Sequence, residues 1–235
     1  MTTALKNLYE DLIDNMMIEE ISGIDAELKA LLLNAPIEKK RSLILTALVE
    51  NNIEHRLLGN KIQKMVENNT LYSARHIKNV VRMLREYVGV SAVEKKTLGE
   101  VMTPTSLVDD MLDTLPKEVW SNPDLKWLDP CNGVGIFPAV IIDRLMDGLI
   151  EVEPNEELRY KHIMENMIYI SELQAKNVFL YLYAFDPEDR FALNVYCGSS
   201  LDEGFDNHMD FWGVEKFDVI VMNPPYQELK EGNKK

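Results

Sequence analysis

The apolar run Phe217-Asp-Val-Ile-Val-Met222 ends on Asn223-Pro224-Pro225-Tyr226, and that junction sets the terms for the rest of the chain. A short apolar run of this kind reads as a buried strand. Asn223 stands before a proline, which disfavours the helical region and keeps its backbone extended. Pro224 and Pro225 have fixed φ and no N–H to donate. The strand therefore stops in a stiff hook. Its amide oxygen, the Pro224 carbonyl and the Tyr226 ring project past the carboxyl edge of the sheet, where open α/β sheets bind ligands.

A hook of this composition suits the grip of a flat, weakly nucleophilic –NH2 group. An exocyclic amine such as that of adenine shares its lone pair with the ring. Two acceptors on its two N–H bonds favour a more nucleophilic nitrogen, most strongly as positive charge builds in a transition state. Tyr226 would stack on the ring face, worth roughly 1–3 kcal/mol per base. The plainer alternative is an ordinary strand followed by a Pro-Pro turn and a chance tyrosine.

Upstream, three more stretches alternate with helical patterns, which predicts a parallel α/β sheet. Lys126-Trp-Leu-Asp129 is a short strand ending in an acid, followed by Pro130-Cys-Asn-Gly133-Val-Gly135 and a helix beginning about Pro138. Glycines there let a ligand approach the backbone. The spacing is neither GxGxxG nor a P-loop, so a nucleoside-like ligand with a positive centre fits better than a phosphate. A plain strand-to-helix turn is the alternative. Met167-Ile-Tyr-Ile-Ser-Glu172 is a second strand, its terminal carboxylate placed to hold a ribose diol. A helix from Ala175 to about Tyr183 follows it. Ala192 to Asp202 supplies a third strand turning at Gly198, and Phe217 to Met222 the fourth. Val101 to Asp113 reads as an amphipathic helix opened by a threonine cap, with Pro104 at its first position.

The first 92 residues are helical in pattern throughout, with stripes at Leu5–Met17, Ile24–Leu33, Ile37–Val49, His55–Val66 and Leu71–Val88. Residues 93–100 are polar, carry Gly99 and read as a linker; residues 101–235 form the second unit. The chain has 235 residues, 46% of them apolar and 27% charged, an ordinary globular composition. No run approaches the ~20 apolar residues of a membrane span, and the N-terminus lacks a signal-peptide layout, so the cytoplasm is the expected location. Cys131 and Cys197 form neither a CxxC nor a Cys/His cluster, so no metal site or disulfide framework is expected, and both read as reduced core or pocket thiols. The net charge of −14 runs against a self-sufficient nucleic-acid binder. Basic residues gather only between Arg56 and Arg85, as either a phosphate-contacting face or a solvated helix face. His55 and His76 read as surface or satisfied core residues.

Taken together, Gly99-Glu-Val-Met-Thr-Pro104, Asp129-Pro-Cys-Asn-Gly-Val-Gly135 and Asn223-Pro-Pro-Tyr226 resemble, in order, the motifs of S-adenosylmethionine-dependent adenine-N6 DNA methyltransferases of restriction–modification systems. The resemblance covers Leu98 to Tyr226. It implies a helical domain followed by a Rossmann-like methyltransferase sheet. It also implies a cofactor site at Thr103, Pro104, Asp129, Pro130, Gly133, Gly135 and Glu172. Asn223, Pro224, Pro225 and Tyr226 would carry the chemistry on a base flipped out of double-stranded DNA, with no metal. Where the family often has Asp directly after the glycine of the third strand's turn, this chain has Ser199, so Asp202 or a backbone contact would serve instead. The glycine loop also departs from the commoner Asp-Pro-Ala-Cys-Gly-Ser-Gly form.

The family's sheet has seven strands, and this sequence supplies four. The chain is therefore expected to be the N-terminal part of a longer enzyme, with the main DNA-recognition region elsewhere. Alone it is expected to be inactive, to bind cofactor weakly or not at all, and to self-associate or need its missing half. Two rival readings stand beside this one. Glutamine methyltransferases acting on release factors share the plan and the tetrapeptide, and a non-catalytic fragment could bind a partner through its helices.

Overall fold

The computed structural model describes residues 64, 71–94 and 103–224. The helices expected before Leu71, the linker beyond Glu94, and the pair Pro225 and Tyr226 lie outside the described residues.

Among the described residues four parallel strands form one sheet in the order β3-β2-β1-β4. They are β1 (Trp127–Asp129), β2 (Ile168–Glu172), β3 (Asn194–Cys197) and β4 (Val219–Ile220). Trp127 pairs with Ile168 on one side and with Val219 on the other, and Glu172 pairs with Cys197. This is a partial doubly wound, Rossmann-like arrangement, in which strands step outward from β1 and the chain then returns to β1's far side. The α/β class read from the sequence is the class observed.

The path of the chain decides which face each helix covers. Steps from β1 to β2 and from β2 to β3 run the same way, so right-handed crossovers put their helices on one face; the return to β4 puts its helix on the other. Accordingly α3 (Ile136–Gly148), α4 (Glu156–His162) and α5 (Ala175–Phe185) share a core with Trp127, Ile168, Ile170 and Val195. The alternate strand residues Leu128 and Tyr169 pack instead against Phe205 and Val214, in and just after α6 (Glu203–Trp212). Trp127/Leu128 and Ile168/Tyr169/Ile170 thus split between the faces as the two-residue strand period requires.

Two further helices close the larger face. In α1 (Ala74–Glu94) the residues Ile77, Val80, Val81 and Leu84 are buried in the same core as α3. Its polar side meets acids of its neighbours: Lys78 lies 3.7 Å from Asp143 and 3.3 Å from Asp147, and Arg85 lies 2.9 Å from Asp109. His76 is fully buried, with Nε2 3.1 Å from the Ala184 carbonyl, a satisfied core histidine. The short α2 (Thr105–Leu112) buries Val108 and Leu112. No helix among the described residues is long and apolar enough to cross a membrane.

Local differences from the sequence expectations have physical causes. Pro104 is the residue before α2, not its first position, and no side chain caps that end; the Thr103 hydroxyl is engaged elsewhere. α3 starts two residues before Pro138 because Gly135, at φ +92°, reverses the chain directly into the helix. Pro138 then occupies the first turn, where its missing N–H costs nothing. β4 is shorter than its apolar run because β1, its partner, has three residues; flanking bonds from Val219 N to Lys126 O and from Val221 N to Leu128 O complete the pairing. Between α4 and β2 a five-residue π-helical turn, Ile163–Met167, leads the chain into the sheet.

Candidate functional site

At the carboxyl edge of the sheet, the loops after β1, β2 and β3 are laced to one another. Asn132 N donates to Ser171 O (3.0 Å), Gly198 N to Glu172 O (3.0 Å), and Ser171 Oγ to Gly198 O (3.0 Å). Ser200 Oγ donates to Pro130 O at 3.0 Å, so the turn after β3 reaches across to the loop after β1. The reversal of strand order falls between β1 and β4, which is where doubly wound sheets open a crevice for ligands.

Glu172 organises the glycine loop. Its Oε2 accepts from Gly133 N at 2.7 Å and its Oε1 from Gln174 N at 2.8 Å. Gly133 (φ +57°) and Gly135 (φ +92°) are both left-handed, but they answer different needs. A Cβ on Gly135 would stand 2.7 Å from Tyr181 Cδ2, so that glycine is demanded by packing. A Cβ on Gly133 would meet nothing within 4 Å, so the loop faces open space there.

Asp129, at the end of β1, is buried. Its Oδ1 accepts from Cys131 N at 3.2 Å, while its Oδ2 has no hydrogen-bond partner among the described residues. Burial, helped by the neighbouring Glu172 charge and opposed by the Cys131 N–H, pushes its pKa up to about 7. A carboxyl group in this state is poised to ionise when a positive group arrives. The Cys131 thiol is pushed up to about 12, by burial first and then by Asp129, against a backbone hydrogen bond from Asn223. That bond places the β4 hook beside the β1 loop.

Asn223 itself is half-buried, and its Nδ2 donates to Thr103 Oγ1 at 2.9 Å, across 120 residues of sequence. Thr103 is buried just ahead of α2. The structure thus brings Asp129, Pro130, Gly133, Gly135, Glu172, Thr103 and Asn223 to one edge. Pro104 and Pro224 are exposed beside it. Ser199 is half-buried and its Oγ accepts from Leu201 N, while Asp202 stands exposed at the start of α6.

Sequence reasoning missed the residues that hold the loops together, Asn132, Ser171 and Ser200. The Asn132-Gly133 pair is a turn signal that marked the first. The two serines carry no signal of their own, since a hydroxyl bonded to a carbonyl across the sheet is set by tertiary placement.

No protein-family model matches the chain. It is similar to a protein of Mycoplasma pneumoniae described as an uncharacterized adenine-specific methylase, with 30% identity over 194 residues that take in 54% of this chain and 46% of the relative. The chain spans about half the length of that curated protein. With the α/β sheet, that similarity supports a methyltransferase family.

Proposed function

We propose that this chain is part of an S-adenosylmethionine-dependent methyltransferase that acts on the amino group of adenine in DNA. The observation that carries the reading is the pairing of β4 with β1 across the strand-order reversal, Val221 N donating to Leu128 O at 3.0 Å, which sets Asn223 beside the Asp129 loop. An amide and an acid-flanked glycine loop stand at the same sheet edge, as acceptor for an amine and cradle for a cationic nucleoside. The similarity to an adenine-specific methylase favours adenine over a protein glutamine as the methyl acceptor.

The site residues fit the cofactor. The Asp129 carboxyl, whose Oδ2 has no hydrogen-bond partner among the described residues, would hold a positive group; Glu172 would accept from hydroxyls at the neighbouring strand end; Gly133 leaves room for close approach. When bound, S-adenosylmethionine supplies an electrophilic sulfonium methyl. The chain's own work is then orientation and polarisation. Asn223 Oδ1 and the Pro224 carbonyl accept from the two N–H bonds of the amine, and the Tyr226 ring stacks on the base. The 6-amino group lies inside a duplex, so the base must be flipped to reach a strand end. In such a transfer no side chain of this site would need to act as a covalent nucleophile; the residues would bind, orient and polarise.

The test is to incubate the protein as its gene encodes it with methyl-labelled cofactor and double-stranded DNA, then digest to nucleosides. Label in N6-methyladenine is expected. Label in protein glutamine, or in no acceptor while cofactor binds, would overturn the assignment.

A further inference from the structure

We infer that Thr103 is a positioning residue for Asn223, accepting from the amide nitrogen so that the amide oxygen can meet the incoming amine with its own N–H still paired. The inference rests on the proposed role of Asn223 and adds a residue to it. By resemblance Thr103 belongs to the cofactor segment; its hydroxyl oxygen instead lies 2.9 Å from Asn223 Nδ2.

A primary amide has two unlike ends, an acceptor oxygen and a donor –NH2, exchanged by a half-turn about its last torsion. Only one orientation can receive an amine, because –NH2 facing –NH2 sets donor against donor. Presenting the oxygen leaves the amide's own N–H bonds in need of an acceptor on the protein side. Among the described residues the Thr103 hydroxyl is the hydrogen-bond partner of the Asn223 side chain. Thr103 is 6% exposed, so water cannot readily take its place. A hydroxyl can also donate, so Thr103 alone would tolerate either orientation. The amine, with donors on both of its N–H bonds, makes the choice, and Thr103 lets Asn223 adopt it while an amide N–H keeps its partner in the half-buried site. A bond accepted from the amide nitrogen also polarises the amide and makes its oxygen a stronger acceptor. The effect belongs to the amine and not to the cofactor, which predicts where it will be read.

The experiment compares Thr103→Val, Thr103→Ser, Asn223→Ala and the Thr103→Val/Asn223→Ala double variant in the full-length protein. It measures kcat on DNA and cofactor affinity by calorimetry. Thr103→Val should lower kcat about tenfold or more, the scale of one lost buried bond. Its cofactor affinity should stay within about twofold, showing also that the variant is folded. Thr103→Ser should restore most of the rate, and Thr103→Val should add little to Asn223→Ala, as expected for groups that act as a unit. Unchanged kcat in Thr103→Val would overturn the inference, as would a fall in cofactor affinity that accounts for the whole loss. A Thr103→Ser variant as impaired as Thr103→Val would overturn it too. Wild-type turnover in Asn223→Ala would instead overturn the reading of the site itself.

Discussion

Replacing Asp129 by Asn should make the ligand-free protein more stable at neutral and alkaline pH. The Asp129 carboxyl is buried, one of its oxygens has no hydrogen-bond partner among the described residues, and its pKa is raised from 3.8 to about 7. The folded state therefore holds a proton that the unfolded state releases between pH 4 and pH 7. In that window stability must fall as pH rises, fully present below about 4 and lost above about 7. At 1.36 kcal/mol per pH unit, the loss is at most about 4 kcal/mol. Asn cannot ionise, so the variant lacks this dependence, but its –NH2 must sit where Oδ2 has no partner, at a cost of about 1–3 kcal/mol. The net expectation is a gain of roughly 1–3 kcal/mol at pH 8 and a loss of similar size at pH 4. Urea unfolding of both proteins at pH 4, 6 and 8 reads this directly, and taking the difference removes the contributions of other raised acids such as Asp143 and Asp186. A wild-type-to-variant difference that stays constant to within about 0.5 kcal/mol across that range would refute the reasoning.

Other expectations follow from individual contacts. Gly135→Ala meets Tyr181 at 2.7 Å in a left-handed conformation and should cost about 2–4 kcal/mol in urea unfolding. Gly133→Ala, facing open space, should cost only about 1–2 kcal/mol of backbone strain. The Cys131 thiol, pushed up to about 12, should resist alkylation at pH 8 in the native protein and react once it is unfolded, as followed by mass spectrometry. Asp186→Ala removes the acceptor for Arg190 N (2.9 Å), Phe191 N (2.9 Å) and the Tyr72 hydroxyl (3.3 Å), and should cost about 2–4 kcal/mol by the same unfolding assay.

What the sequence disclosed was set by how local each signal is. The strand-end acids Asp129 and Glu172 close β1 and β2 as expected, because an apolar run ending in a charge marks its own boundary. The helix after β2 was legible at Ala175 for the same reason, and ends at Phe185, two residues beyond its expected limit. α4 and α6 were not anticipated. α4 is short and rich in charge, and its clearest mark is the Asn155 side chain, which caps it by accepting from Glu157 N and Leu158 N at 3.0 Å. α6 buries only Phe205 fully among its ten residues, too weak a stripe to announce a helix. The helical pattern of Leu71–Val88 was visible, but its sharing of a core with α3 was not, since that depends on contacts between segments far apart in sequence. The bond from Asn223 to Thr103 is of the same kind, spanning 120 residues.

The central claim is that the crevice divides its labour, with the β1 and β2 strand ends holding the methyl donor and Asn223 acting on the amine. Single-turnover methyl transfer by Asn223→Ala in the full-length protein, at saturating cofactor, tests it most directly. Loss of one preorganised polar group acting on developing charge typically costs about 10²–10³ in rate. The account predicts a loss of at least that size, with S-adenosylmethionine affinity by calorimetry close to wild type. Transfer at the wild-type rate, or a slow variant whose deficit vanishes once cofactor affinity is corrected for, would contradict it.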